Sequence, residues 1–385
     1  MGRRYQNLPK TVTSYATVDY PTYYRLLIRF VIMAADELDF RCNFVALYSA
    51  KFPHILEHIF FSLDYESYMN CMEVSNEWKG VLNSERYITK RKSIFKVEIE
   101  RDEQMLCNAV QYEWGTTDVV RMLLASGMVD VNCRDPAVAM TPLHLAAKNI
   151  YGKELCQILI EHGANPNVAD GDGQTPLHIA AQIAQIPNIY GKEVSQLLIE
   201  HDADPNVADG KGITPLHLAA SWNHKEVSQL LIEHGADPNV ADGGGRTPLH
   251  WAARIDVMNL LIENGADPNV VENHGQTPLH QAAQRGLMKV VKLLIEHGAD
   301  PNVTDENGLT PLHCAARYGY KNLAELLIGR GADPNMADNI GQTPLHCAAQ
   351  EGKIKVTELL IESGADMDKA NNRGMTPHDM MHQPQ

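Results

Sequence analysis

Apolar residues recur along most of the chain in short clusters with helical spacing, and the same arrangement returns about every 33 residues. Residues 277–309 contain one complete unit. Its first cluster includes Ala282 and Ala283, which are small enough for neighbouring helices to approach closely. Its second cluster holds the larger apolar residues Val290, Val291, Leu293 and Leu294. This pattern predicts a short helix followed by a second helix over residues 287–295.

The ends of the two helices are predicted from residues with known terminal preferences. Thr277 is the predicted N-cap of the first helix, and Pro278 is its first residue, where no backbone N–H is needed. Gly298 should end the second helix with a positive φ, and the polar residues 300–308 are typical of a turn. A single unit cannot bury the apolar sides of both helices, so the pattern predicts a stack of units.

The repeat is marked by the tetrapeptide Thr-Pro-Leu-His. Its copies begin at Thr141, Thr175, Thr214, Thr247, Thr277, Thr310 and Thr343, and a decayed copy begins at Thr376. Successive intervals are 34, 39, 33, 30, 33, 33 and 33 residues. A 33-residue period with this tetrapeptide resembles the ankyrin repeat. The resemblance implies an all-α solenoid of helix pairs with projecting β-hairpin turns, whose concave face binds partner proteins.

The units are not all alike. Residues 103–385 should hold about nine of them, both end units being atypical. The 39-residue interval carries six extra residues around 185–190, between the two helices of its unit, and the 30-residue interval lacks three near Ile255. Asp202 replaces the glycine that follows the second helix elsewhere. Aspartate adopts the left-handed conformation less readily than glycine.

Regularly spaced histidines could indicate a metal site. They are His144, His178, His217, His250, His280, His313 and His346. Equivalent residues of stacked helices lie about 10 Å apart, which is too far for neighbouring histidines to share one zinc ion. The ankyrin resemblance implies instead that they form structural hydrogen bonds, and we expect no metal.

A different pattern precedes the repeats. Ile55, Ile59 and Leu63 keep a four-residue step along one helical face, and a second predicted helix carries Val74 and Trp78. This pattern is similar to an F-box, the three-helix module that binds the adaptor of cullin-type ubiquitin ligases. The resemblance implies an adaptor contact made by Pro53, Ile55, Leu56, Ile59 and Leu63.

Three parts of the chain are therefore expected: a tail with an amphipathic helix at 1–50, an F-box-like module with its linker at 51–102, and the repeats at 103–385. Two other interpretations of the middle part stay open. It could be a helical cap that seals the first repeat. Alternatively, His54 and His58 of a His-x-x-Glu-His motif could bind zinc with the motif's glutamate as base, although the third ligand would have to come from the repeats.

Charge favours protein partners over nucleic acid or membrane. Residues 1–102 hold 14 Lys and Arg against 13 Asp and Glu, whereas the remaining residues hold 19 against 35, a charge of −16. Such a field opposes binding to phosphate groups. No apolar run is long enough to span a membrane, and no signal-peptide pattern is present. Seven scattered cysteines fit a reducing compartment, so we expect a cytoplasmic protein, with Lys90-Arg91-Lys92 as a candidate nuclear signal.

The sequence contains no phosphate-binding loop and no nucleophile elbow, so we expect neither catalysis nor a cofactor. Candidate target-binding residues are those that vary between otherwise similar units: Trp222, Arg246, Arg254, His274, Arg285, Arg317 and Tyr318. Their basic and aromatic character predicts an acidic or phosphorylated target. We interpret the chain as a substrate receptor of a ubiquitin ligase. A non-catalytic scaffold or inhibitor that masks a partner is the alternative.

Overall fold

The computed structural model describes residues 105–381 apart from 112–116, 126, 128, 150–151 and 184–188. The predicted tail and F-box-like module lie outside the described residues, as do all five candidate adaptor-binding residues and the His-x-x-Glu-His motif. Within the described ranges the secondary structure is entirely helical.

The helices are α1 (Met105–Gln111), α2 (Thr117–Ala125), α3 (Pro142–Lys148), α4 (Gly152–Glu161), α5 (Pro176–Gln182), α6 (Ile189–Glu200), α7 (Pro215–Ser221), α8 (Lys225–Glu233), α9 (Pro248–Trp251), α10 (Ile255–Glu263), α11 (Pro278–Gln284), α12 (Met288–Glu296), α13 (Pro311–Tyr318), α14 (Lys321–Gly329), α15 (Pro344–Gln350), α16 (Ile354–Glu362) and α17 (Pro377–Met381).

The chain forms two compact units, residues 1–130 and 131–385. The described part of the first unit is the helix pair α1 and α2. Helix α1 buries Leu106, Ala109 and Val110, and α2 buries Val120 and Leu123. These are apolar positions that the sequence pattern assigned to an atypical first repeat.

The second unit is a two-layered stack. The odd-numbered helices from α3 to α17 each pack against the next, and the even-numbered helices from α4 to α16 form the second layer in the same way. The core lies between and within the layers. In the unit 277–309, Leu279 and Ala283 of α11 and Leu294 of α12 are completely inaccessible to solvent. This is the stacking that the apolar pattern predicts, because each helix pair buries its remaining apolar side against a neighbour.

Helix ends follow the sequence. Thr277 is the N-cap of α11 with an extended backbone, and Pro278 is the first helical residue. After α12, Gly298 has φ 88°. The second helix of this unit is shifted by one residue from its predicted range. Local residue preferences therefore determine where most helices begin and end.

The prediction of β-hairpin turns is wrong for the described residues, which contain no strand. In one turn, the N–H of Asp305 donates to the carbonyl oxygen of Leu309 at 2.9 Å. The next residue, Thr310, is already the N-cap of α13. The chain on this side of the turn is too short to form a β-ladder. Adjacent turns are instead joined by single bonds, such as that from the N–H of Glu306 to the carbonyl oxygen of His274 at 2.8 Å.

The unit 247–276 is three residues shorter than most others, and the missing residues are lost from its first helix. Helix α9 contains only Pro248–Trp251, whereas α11 and α15 contain seven residues each. The chain then reaches α10 through Ala252, Ala253 and Arg254. In the lengthened unit, the segment 184–188 between α5 and α6 lies outside the described residues.

Candidate protein-binding site

The stack that carries the candidate site is held together by the tetrapeptide histidines. The backbone N–H of Thr277 donates to Nδ1 of His280 at 3.1 Å, while Nε2 of the same ring lies 3.0 Å from the carbonyl oxygen of Leu309. Because Nδ1 accepts a hydrogen bond, the ring proton is on Nε2 and is donated to the carbonyl group. Leu309 immediately precedes the next tetrapeptide. Each histidine therefore ties its helix to the start of the next unit, and the predicted structural role is confirmed.

Burial favours the neutral form of these rings. It lowers the pKa of every tetrapeptide histidine: His144, His178, His217, His250, His280, His313 and His346. The carbonyl hydrogen bonds oppose this shift without cancelling it, and the pKa of His313 falls to about 4. No group of three potential metal ligands occurs among the described residues.

Asparagine side chains form a second set of bridges, which the sequence reasoning missed. Asn302 donates from Nδ2 to the carbonyl oxygen of Gly331 at 2.8 Å, and its Oδ1 accepts from the N–H of Asp333 at 2.9 Å. The same pair of bonds recurs at Asn206, Asn239, Asn269 and Asn335. The recurring Asp-Pro-Asn tripeptide was the available signal. Both the histidine bonds and the asparagine bonds therefore join successive units.

The structure separates the seven candidate target-binding residues into two groups. The tip group, Arg246 and His274, lies in the turns that precede the first helices. The joint group lies where a first helix passes to a second helix, and comprises Trp222, Arg254, Arg285, Arg317 and Tyr318. A seven-residue first helix is about 10 Å long, and this distance separates the two groups. They form two rows along the stack instead of one cluster.

Arg246 is committed to contacts with Asp242 and Trp251. Its Nε lies 3.2 Å from Oδ2 of Asp242, and its guanidinium carbon is 5.2 Å from the centre of the Trp251 ring. Trp251 also donates from Nε1 to Asp242 at 3.0 Å and meets His217 edge-on at 5.8 Å. Trp251 thus packs between units. Burial opposes ionisation of Asp242, but backbone N–H groups, the guanidinium and the indole together lower the pKa of its carboxyl group.

Two further basic candidates have acidic neighbours. Nε of Arg254 lies 3.7 Å from Oδ1 of Asp256, and Nδ1 of His274 lies 3.1 Å from Oε1 of Glu306. The hydrogen bond and the charge of Glu306 raise the pKa of His274. Both pairs are solvent-exposed, so each is weak and can open for a ligand. The acidic neighbours nevertheless reduce the net positive charge around Arg254 and His274.

The remaining joint residues are the ones most available to a partner. Trp222 is 50% exposed and Tyr318 is 53% exposed. Arg285 and Arg317 are also exposed. Burial raises the pKa of both Cys314 and Cys347 to about 11, so these thiols are not reactive at neutral pH.

The sequence model of ankyrin repeats (three copies) matches residues 106–189, 184–272, 254–338 and 322–381. The segment 51–102 lies outside these matches. None of the described helices has both the length and the apolar character that a membrane span requires.

Individual relatives match over short stretches. A BTB/POZ domain and ankyrin repeat-containing protein of Medicago truncatula is 42% identical over 62 residues, which are 16% of this chain and 13% of that protein. A protein described in the same words from Lotus japonicus has the same identity and coverage. The putative ankyrin repeat protein FPV031 of fowlpox virus is 34% identical over 99 residues, 25% of this chain and 27% of its own length. The chain thus spans about a quarter or less of each of these relatives.

The family matches cover most of the chain, and they coincide with the helix pairs, the capped tetrapeptides and the bridged stack described above. The chain belongs to the ankyrin repeat family.

Proposed function

We propose that this chain is a substrate receptor of a cullin-type ubiquitin ligase. Residues 51–102 bind the adaptor through Pro53, Ile55, Leu56, Ile59 and Leu63, and the ankyrin stack binds the target protein. The ankyrin family supports a protein-binding role for the stack. The F-box-like spacing of apolar residues supports the adaptor contact. Ubiquitin transfer is carried out by other subunits, so the chain itself has no catalytic residue.

The observation that carries the target-binding part is the pair of half-exposed aromatic residues on a regular row. Trp222 and Tyr318 each expose about half of their surface, and arginines lie on the same row. Tryptophan, tyrosine and arginine are the residues that most often dominate binding energy at protein interfaces. The proposed target-binding residues are Trp222, Arg246, Arg254, His274, Arg285, Arg317 and Tyr318.

We rank these residues by the contacts that they already make. Asp242 already binds Arg246, while Arg254 and His274 have acidic neighbours. Arg285 and Arg317 are therefore the residues that contribute most to binding an acidic or phosphorylated target segment. Neither nucleic acid nor a membrane is proposed as a partner, because the stack carries a charge of −16. We place the receptor in the cytoplasm, with access to the nucleus through Lys90-Arg91-Lys92.

Adaptor binding is tested with the double variant Ile59→Asp and Leu63→Asp in the full-length chain. Placing two carboxylates in an apolar interface costs several kcal/mol, which is enough to abolish a micromolar contact. Co-purification of the adaptor should be lost while target binding is kept. Glu57→Gln, which changes a charge on the opposite side of the predicted helix, is the matched control and should bind the adaptor normally.

A non-catalytic scaffold or inhibitor is the second candidate. The observation that favours it is that every family match falls within the repeats. A scaffold needs only the stack and masks its partner without leading to ubiquitination. Wild-type protein that binds a target but never co-purifies with the adaptor would replace the receptor proposal with this one.

A further inference from the structure

Three consecutive units expose apolar side chains at the same end of their helices. Leu287 is 40% exposed, Tyr318 is 53% exposed and Ile354 is 70% exposed. Each lies at the joint between the first and second helix of its unit, away from the turns that precede the first helices. Together with Lys289, Lys321 and Lys355 they form what we call the joint edge. It runs along units 277–309, 310–342 and 343–375.

The charge of the joint changes sign along the stack. The residue just before the first buried Leu or Val of each second helix is acidic in the four units that begin at Thr141, Thr175, Thr214 and Thr247, where it is Glu154, Glu193, Glu226 and Asp256. At the equivalent place the next three units have Lys289, Asn322 and Lys355. A cation near a helix N-terminus is unfavourable, because it meets the positive end of the helix dipole. Stability alone therefore does not account for the lysines.

These lysines are exposed, and within the described part of the chain they form no ion pair. The neighbouring acids of the same helices, Glu325 and Glu358, lie a turn further along. At two of the earlier joints, by contrast, a cation is paired. Nζ of Lys153 lies 3.3 Å from Oε2 of Glu193, and Arg254 lies beside Asp256. The joint edge is thus a positive surface on a block whose overall charge is −16.

The aromatic centre of the joint edge is held rigidly. The ring of Tyr318 stacks on that of Tyr320, with centres 6.0 Å apart and an angle of 26° between the planes. Tyr320 in turn covers Gly286 of the preceding unit so closely that a Cβ atom on Gly286 would lie 2.9 Å from its ring. A platform that is ordered before binding loses little conformational entropy when a ligand docks.

We infer that the joint edge binds an acidic segment of a partner protein. An apolar or aromatic side chain of that segment packs among Leu287, Tyr318 and Ile354, and its carboxylates approach Lys289, Lys321 and Lys355. This inference rests on the proposed role of the stack in binding a protein, but not on any contact with a ubiquitin ligase. Acidic segments are repelled by most of the stack, so charge complementarity confines them to this edge.

A nucleic acid or anionic membrane is a less suitable occupant. Either presents many phosphate groups over a large area, and these would also face the acidic surfaces of the stack. A short peptide segment places only a few carboxylates on the edge. The apolar side chains between the lysines would also find no apolar partner on a phosphate backbone.

The test uses the full-length chain and a fluorescent random copolymer of glutamate and tyrosine, in which glutamate is in excess. Binding is followed by fluorescence anisotropy. Lys289→Glu with Lys355→Glu introduces the acid that the four preceding units have at this place, and should weaken binding about tenfold or more. The melting temperature should not fall, because glutamate is favourable at a helix N-terminus. The control is Lys153→Glu with Lys192→Glu at the joints of earlier units, which should leave binding unchanged.

A second variant tests the apolar part. Leu287→Ser with Ile354→Ser removes exposed side chains, so folding should be retained while the affinity for the copolymer falls to that for polyglutamate. The inference is overturned if the copolymer does not bind or if the lysine reversal leaves its affinity unchanged. It is also overturned if wild type binds polyglutamate as tightly as it binds the copolymer. The same holds if polyuridylate or phosphatidylserine vesicles displace the labelled copolymer as well as unlabelled copolymer does. This experiment does not measure adaptor binding. If the proposed adaptor contact proves wrong, the outcome of the copolymer experiment is therefore unaffected.

Discussion

Asp202 adopts the left-handed backbone conformation, with φ 67°, that Gly298 adopts with φ 88° at the equivalent helix end. A Cβ atom built on Gly298 would meet no other atom within 4 Å. The same open space surrounds Gly163 and Gly235 at their helix ends. The aspartate is therefore tolerated sterically, and its cost is the intrinsic preference of an L-residue for negative φ.

Asp202→Gly should stabilise the stack by up to about 1 kcal/mol, because glycine adopts this conformation without that cost. Gly298→Asp should destabilise it by a similar amount. Urea unfolding followed by circular dichroism checks both variants. A lower unfolding midpoint for Asp202→Gly would contradict the interpretation.

The asparagine bridges should be a measurable part of the free energy of unfolding. Asn302→Ala removes the bonds to Gly331 and Asp333 and should cost about 1–2 kcal/mol. Asn322→Ala is the control, because Asn322 is an exposed asparagine for which the described structure shows no such bridge. Equal effects of the two substitutions on the urea midpoint would show that the bridges contribute nothing.

Acid should destabilise the stack through the tetrapeptide histidines. The folded-state pKa of His313 is about 4 and its ordinary value is 6.5, so the unfolded chain binds the proton more readily between these values. Stability is fully present above pH 6.5 and is lost as the pH falls, by about 1.4 kcal/mol per unit. At pH 5 this single histidine should cost about 2 kcal/mol.

The measurement compares urea unfolding at pH 7.5 and pH 5 for wild type and His313→Gln. The variant should be less stable at pH 7.5 but should lose about 2 kcal/mol less on acidification. Asp242 does not interfere, because its lowered pKa makes its contribution disappear only as the pH falls below 3.8. If both proteins lose the same stability, His313 is not buried in its neutral form.

The arginines should separate into structural and binding residues. Arg246→Gln loses the contacts with Asp242 and Trp251 and should lower the free energy of unfolding by up to about 1 kcal/mol. Arg285→Gln should leave stability within about 0.5 kcal/mol of wild type, as for an unconstrained surface residue, but should weaken target binding. Melting temperatures and target affinities of the two variants are compared. The reverse assignment would show that the tip group is the binding group.

Much of the stack could be predicted from the sequence because its determinants are local. Thr277, Pro278 and Gly298 set helix ends through their own backbone preferences, and the tetrapeptide histidine bonds to a threonine three residues away. Features that depend on distant residues were missed. Asn302 meets Gly331 across 29 residues. The contacts of Arg246 with the nearby residues Asp242 and Trp251 were missed for another reason, because they depend on how a turn folds back on α9. The prediction of β-hairpins was wrong because each turn leads directly into the N-cap of the next helix.

The candidate site was only partly predictable for the same reason. Variation between units identifies exposed positions such as Trp222 and Tyr318, but not which arginines already have partners. The charge reversal at Lys289 and Lys355 becomes meaningful only when the structure places these lysines beside Leu287 and Ile354 at the joints.

The central claim is that adaptor binding and target binding are separate functions of one chain. The most direct measurement is quantitative mass spectrometry of proteins that co-purify from eukaryotic cells with three full-length proteins. These are the wild type, Ile59→Asp with Leu63→Asp, and Arg285→Glu with Arg317→Glu. We predict that the adaptor is lost only from the first variant and a defined set of other proteins only from the second. If the wild type brings down no adaptor, or if both variants lose the same proteins, the receptor account is contradicted.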